Sequence, residues 1–182
     1  MSRITDRVSS FVSPSNLERV ASYNYGPISM LAAFAGSHLL LQARLPQLLR
    51  YGIDDNVHPR DNLLGESAER YLASGKVTPS QLNRLRRWEA AHYNAVENLP
   101  VFIGAVLSLQ LAGAPNRIVN RVCAVWLAAR AAYAGLYITI ESPGLSWLRT
   151  ASWWISNSSV LYAFYEAANR INHNVGTGTV AL

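Results

Sequence analysis

The sequence predicts an all-α fold, an integral-membrane antiparallel bundle of four helices, and three observations predict it. Half of the 182 residues are hydrophobic and only 15% are charged, against about a quarter in soluble domains. The apolar residues gather in runs of roughly twenty, the length that carries a helix across a bilayer. Clusters of Pro, Gly, Asp and Asn separate these runs. The whole chain, 1–182, reads as one domain. Its net charge of +5 is not accompanied by bases interleaved with exposed aromatics, so no nucleic-acid partner is expected. The one cysteine, Cys123, rules out an internal disulfide and most cysteine metal sites, and no metal centre is expected. Its apolar setting marks it as a buried, inert thiol.

Met1 to Tyr25 mixes Arg3, Asp6, Arg7, Glu18 and Arg19 with Ile4, Val8, Phe11 and Leu17. An interfacial amphipathic turn and a loose tail both fit this mixture. Met1 to Val20 is too polar for a cleavable signal peptide. Pro27 is placed to open the first helix, predicted over about 27–49. That helix carries His38, Gln42 and Arg44, and Pro46 predicts a kink near its end. Gly36 and Ser37 are small enough to let another helix approach. A polar connection follows over 50–80, with turns at Asp54, Asp55, Asn56, Pro59 and Gly65 and a short helix over Glu66 to Leu72. Arg50 to Arg87 holds seven of the sixteen Lys and Arg residues. The positive-inside rule therefore places this connection in the cytosol and both termini opposite.

Thr78 or Ser80 caps the second helix, predicted over about 81–112. Arg87, Asn94 and Glu97 stand at i, i+7 and i+10, which brings them to one helix face. A carboxylate leading an apolar run needs either an Arg from a neighbouring helix or a ligand. Ala112, Gly113, Ala114 and Pro115 end this helix. The third, over about 116–140, sets Arg130, Tyr133 and Tyr137 at i, i+3 and i+7 on one face. A mid-membrane Arg costs about 2.5 kcal/mol or more and calls for a partner, for which Glu97 is the expected residue. On spacing alone the two tyrosines also fit core aromatics with satisfied hydroxyls. Glu141, Ser142, Pro143 and Gly144 make the next turn. The fourth helix, over about 146–170, opens with Arg149 among Trp147, Trp153 and Trp154, aromatics suited to a bilayer interface. Asn157, Ser158 and Ser159 match a glycosylation sequon, but in mid-helix it should be silent. Ile171 to Leu182 is expected to fray.

The order Ala91, Asn94, Glu97, Pro100, Phe102 after Arg87 resembles the second helix of the MAPEG family, the membrane-associated proteins of eicosanoid and glutathione metabolism. The R-x-x-Y-x-x-x-Y spacing of Arg130, Tyr133 and Tyr137 resembles the third helix of its leukotriene C synthase group. The resemblance covers roughly Pro27 to Arg170 and is nearest in style to the fungal branch. It implies a homotrimer in the endoplasmic reticulum membrane, with glutathione bound between subunits by Arg87, His92, Asn94, Glu97, Arg130 and Tyr133. It also implies that Arg149, followed by the hydroxyl of Thr150, points at the glutathione thiol. One departure stands out: mammalian conjugating members carry an Arg four residues before the Asn, where this chain has Ala90. Arg87, one turn earlier, supplies the charge instead. His92 falls where relatives place a Gln or His facing the adjacent subunit, and a surface histidine at the helix mouth fits equally well.

Such a site must hold two carboxylates and an ammonium and keep a thiol ionised. Arginines suit the carboxylates because a guanidinium stays charged and binds in a fork. Glu97 suits the ammonium. A thiol of pKa ~8.5 becomes a nucleophile at neutral pH beside a cation or phenol, and Arg149 and Tyr137 are the expected catalytic pair. Three functions follow. The first is a transferase or peroxidase acting on hydrophobic electrophiles delivered from membrane lipid. The second, raised by Ala90, is an isomerase or cyclase for a lipophilic metabolite, with glutathione optional. The third is a non-catalytic lipid-binding adaptor, against which Arg130, Tyr137 and Arg149 argue. Asn94, Glu97 and Arg130 cannot face lipid, and a trimer with sites between subunits would shelter them.

Overall fold

Pro27 lacks an N–H, which costs nothing in the first turn of a helix, and helix α1 duly begins there, spanning Gly26–Ala35. The computed structural model describes residues 22–176; the reading of Met1 to Tyr25 falls mostly outside the described residues. From Ala35 the chain widens into a π-helical turn, Gly36–Leu40, closed by the Leu41 N–H on the Gly36 carbonyl at 3.0 Å. It then breaks and resumes as α2, Arg44–Tyr51. The predicted single helix over 27–49 is thus two helices, and the break lies upstream of Pro46. The reason is physical. A proline offers no hydrogen to the carbonyl four residues back and its ring crowds that carbonyl, so Gln42 instead accepts from the Leu45 N–H at 3.3 Å. Trp88 holds the break in place by donating its indole N–H to the Leu41 carbonyl at 3.1 Å.

The connection is more structured than its polarity implies. Gly52 takes the left-handed conformation (φ 59°) that ends α2. Helix α3 spans Gly65–Ala73, close to the predicted short helix. Ile53, Leu63, Ala68 and Val77 form a small core of their own, completed by Leu82 and Leu85. Within it Asn62 donates to the Gln47 side-chain oxygen at 2.7 Å and accepts from the Tyr71 hydroxyl at 2.7 Å. Arg44 clamps Asp54 through two 2.7 Å bonds.

Helix α4 runs over Pro79–Leu111. Thr78 rather than Ser80 is its cap: the Thr78 hydroxyl accepts from the Gln81 N–H, and the Gln81 side chain accepts from the Thr78 N–H, a reciprocal capping box. Helix α5 spans Asn116–Thr139 and α6 spans Ser146–Gly176. The fourth predicted helix therefore continues six residues past Arg170, and the expected fraying from Ile171 does not begin there. Residues 177–182 lie outside the described part of the chain. Helices α4, α5 and α6 pack against one another, and α1 packs on α4 and α5. Phe102, Val106 and Leu109 of α4, Val122 and Trp126 of α5, and Val160, Ala163 and Ala167 of α6 make the main core. Phe102 and Trp126 stack there with centroids 4.0 Å apart. The two alanines let α6 approach closely, as small residues do in membrane helices.

Among the described residues, three stretches are long and apolar enough to cross a membrane: Gly26–Tyr51, Pro79–Leu111 and Asn116–Thr139. Four crossings were expected. Helix α6 has the length, at 31 residues, but Ser152, Ser156, Asn157, Ser158 and Ser159 dilute its apolarity.

Candidate functional site

Helix α5 presents Trp126, Arg130, Tyr133 and Tyr137 at spacings of four, three and four, and all four side chains meet along one stripe. The Arg130 guanidinium lies 4.7 Å from the Tyr133 ring centroid and 5.9 Å from that of Trp126. Tyr133 meets Tyr137 edge to face at 5.5 Å. From the first turn of α6, Arg149 covers the Tyr137 ring at 4.2 Å. Two guanidiniums thus bracket two phenols, each cation lying over the negative face of a ring.

Arg130 does not pair with Glu97, contrary to expectation. Its Nη2 donates to Asn94 at 2.6 Å (side-chain oxygen) and 2.9 Å (backbone oxygen). The guanidinium lies level with Asn94, a turn short of Glu97. Asn98 adds a third bond, donating to the Asn94 backbone oxygen at 2.8 Å. The Asn94 oxygens are therefore committed, while its NH2 group makes no hydrogen bond among the described residues. Arg130 is only 7% exposed, and its Nη1 is buried without a hydrogen-bond partner. Glu97 is exposed on the surface of the single chain and takes part in no ion pair among the described residues.

The positive charge expected beside Asn94 is drawn elsewhere. Arg87 donates from Nη2 to Glu141 at 2.6 Å and from Nε to the Ile138 carbonyl at 3.4 Å, so it ties α4 to the end of α5. Helical spacing had put Arg87, Asn94 and Glu97 on one face. The Arg87 side chain is long enough to leave that face for a carboxylate across the groove. His92 likewise turns inward: its Nδ1 lies 2.9 Å from the Ser37 carbonyl in the π turn, and because a carbonyl only accepts, Nδ1 carries the hydrogen. It faces neither solvent nor a neighbouring subunit through that atom.

The structure brings together Asn94, Arg130, Tyr133, Tyr137 and Arg149, with the Glu97 carboxylate within electrostatic reach of Tyr133, and sets Arg87 and His92 apart from them. Trp126, Asn98 and Glu141 were not singled out in the sequence. Trp126 was findable, one turn before Arg130, and so was Asn98, one turn after Asn94. Glu141 was hidden as a turn residue. Chemically, Arg149 sits at the start of α6, where the helix dipole is positive. Its charge has a ring beneath it and no carboxylate partner among the described residues, an arrangement suited to an anion. An all-α membrane protein with a guanidinium–phenol stripe along its third membrane-spanning stretch is the class that fold and site define.

The chain belongs to the MAPEG family, whose model matches residues 25–169. No curated protein and no solved structure gives a significant match. Membership, together with the three spanning helices, makes this an integral membrane protein and is consistent with glutathione-related transferase or isomerase chemistry.

Proposed function

We propose that the chain is a fungal-type, glutathione-dependent transferase or peroxidase acting on hydrophobic electrophiles, a homotrimer of four-helix bundles in the endoplasmic reticulum membrane. The observation that carries this reading is Arg149 poised over Tyr137 with no carboxylate paired to it among the described residues. Glutathione fits the donor set: among the described residues Glu97 has no ion-pair partner and can take its ammonium, the Asn94 NH2 is uncommitted, and Arg149 with the Tyr137 hydroxyl can hold a thiolate. The outward face of α6 carries Trp154, Ile155, Leu161 and Tyr165, all exposed, which supports α6 as the fourth crossing. The basic connection 50–80 would then lie in the cytosol.

In this reading Arg149 lowers the energy of the sulfur anion, and Tyr137 orients it. The thiolate attacks an electrophilic carbon of a lipid-borne substrate, forming a C–S bond while the leaving group departs with the bond electrons. With a hydroperoxide it would attack the terminal oxygen instead, forming an S–O bond as the O–O bond breaks, so that the sulfur is oxidised to a sulfenic acid and the alkoxide takes up a proton and leaves as the alcohol. Arg130 acts from behind, fixing Asn94 and Tyr133. A second reading, isomerisation or cyclisation with glutathione optional, is favoured by one observation: Arg87 is engaged by Glu141, and Ala90 leaves no other cation one turn before Asn94.

Calorimetric titration of the detergent-solubilised protein with glutathione separates the two. Saturable binding with heat, accompanied by ultraviolet thiolate absorbance, is expected, and absence of both would reject the first reading. Arg149→Ala should keep glutathione affinity within a few fold and lower turnover by roughly two orders of magnitude, about 2.7 kcal/mol of transition-state stabilisation. Loss of binding with unchanged turnover at saturation would make Arg149 a carboxylate clamp.

A further inference from the structure

Beside the connection that joins the first two spans, between α2 and the first turns of α4, lies a cleft of about 110 Å³. That is well below the ~300–1,000 Å³ of pockets that enclose a drug-sized ligand, so the cleft has room for a head group and not for a whole molecule. Pro46, Leu85 and Trp88 give it apolar walls, and the Trp88 N–H is already committed to the Leu41 carbonyl. The polar groups that line it can all donate. Arg50 and Arg84 bring one guanidinium from each helix. Gln81 has its side-chain oxygen on the Thr78 N–H in the capping box, which leaves its NH2 to donate. Tyr51 adds a hydroxyl, with its ring 5.7 Å from the Arg50 guanidinium. Among the described residues no carboxylate lines the cleft, and none pairs with Arg50 or Arg84. The acids nearest in sequence to Arg50 are engaged elsewhere, Asp54 by Arg44 and Asp55 by the N–H groups of Val57 and His58. Two cations on one cleft repel each other, and an anion between them turns that repulsion into attraction. A phosphate suits two guanidinium forks because it offers three or more oxygens, and as a monoester it carries a charge of about −1.5 to −2 at neutral pH. The rim indicates what the phosphate is attached to. Leu45 and Leu49 form the ridge of α2 next to Pro46 and Arg50, one residue round the helix, and both are exposed. Exposed leucines beside a cationic cleft at the end of a membrane span match the acyl chains and head group of an anionic lipid.

We propose that this cleft binds the phosphomonoester head of a membrane phospholipid, phosphatidic acid being the simplest, with the phosphate between Arg50 and Arg84 and the acyl chains along Leu45 and Leu49. The inference stands on the donor-lined cleft and the leucine ridge. It does not rest on the glutathione reading, since neither arginine belongs to the site built around Arg149 and Tyr137.

The test titrates the full chain, solubilised in detergent, with dioleoyl phosphatidic acid, with phosphatidylcholine of the same chains, or with glycerol 3-phosphate, and counts bound molecules by native mass spectrometry. The first phosphatidic acid on each chain should bind about tenfold or more tighter than phosphatidylcholine. Arg50→Gln combined with Arg84→Gln should bring the two lipids to equal affinity. Arg60→Gln combined with Arg70→Gln removes the same charge from the connection outside the cleft and should leave the preference in place. Equal binding of the two lipids by the native protein would overturn the proposal, and this comparison decides even where a variant fails to fold. Equal loss of preference in both double variants would overturn it too, by showing a diffuse basic surface. Glycerol 3-phosphate bound as tightly as phosphatidic acid would give the cleft to a water-soluble phosphate and overturn the lipid assignment. Glutathione titration keeps the two ideas apart. A native protein that prefers phosphatidic acid but binds no glutathione rejects only the glutathione reading. Glutathione binding that disappears with the lipid preference in the Arg50, Arg84 double variant would make the cleft part of the glutathione site and reject this one.

Discussion

Asn94 is a small residue holding a large charge in place. Its two oxygens take Nη2 of Arg130, and Asn98 steadies it from the next turn. Asn94→Ala would leave Arg130 with a single backbone acceptor in an apolar interior, and losing a hydrogen bond to a buried charged group costs about 1.5–3 kcal/mol. Equilibrium unfolding in mixed micelles should register that loss, while Asn94→Asp, which keeps the acceptor and adds a countercharge, should fold at least as well as the native protein. At this scale the sequence was half legible. The Arg130, Tyr133, Tyr137 register could be read directly because helical periodicity fixes it. The partner of Arg130 could not, because Asn94 and Glu97 share a face one turn apart and spacing does not say which of them a flexible guanidinium meets.

At the scale of elements, boundaries set by local chemistry were readable and those set by packing were not. The T-P-S-Q start of α4 carries its own cap, and Thr78→Ala should cost about 1 kcal/mol in the thermal stability of the protein. The small core over the connection was obscured because Ile53, Leu63, Ala68 and Val77 are scattered among turn residues and converge only in three dimensions. Its acid sensitivity follows from two carboxylates. The Arg44 guanidinium holds Asp54 below the usual carboxylate range, and backbone N–H groups of His58 and Val57 do the same for Asp55. A depressed carboxyl stabilises the fold above its unfolded pKa, and that contribution is lost as pH falls through the lower, folded value. Protection factors of residues 53–77, corrected for the intrinsic exchange rate at each pH, should therefore fall on acidification below about pH 4, and Asp54→Asn should remove part of that pH dependence. Protection factors in this segment that are flat with pH would show that these carboxylates do not hold it.

For the whole molecule, the unpaired groups point outward as well as inward. Glu97 is exposed halfway along a membrane-spanning helix, where an ionised side chain facing lipid is strongly disfavoured. In the proposed trimer, contact with a second copy would remove it from lipid. Native mass spectra of the detergent-solubilised protein should therefore be dominated by a trimer, and Glu97→Leu should leave that assembly intact while weakening glutathione binding. A predominantly monomeric spectrum would count against the assembly. Family membership was legible from two helix motifs, since they carry chemistry as well as apolarity. The extent of lipid contact was not, because an exposed Leu and a Leu covered by another subunit look alike in one chain.

The small core over the connection also bears on how the protein is made. Four of its residues precede α4, but Leu82 and Leu85 lie on that helix, so the cluster stays open until the ribosome has delivered them. At about 5–20 residues per second, translation from Ile53 to Leu85 takes roughly two to six seconds. Throughout that interval the first span is already synthesised, and its loop exposes Ile53 and Leu63 with nothing to close over them. Closure arrives with the first turns of α4, so the nascent chain folds its loop only when the next span is ready to enter the bilayer.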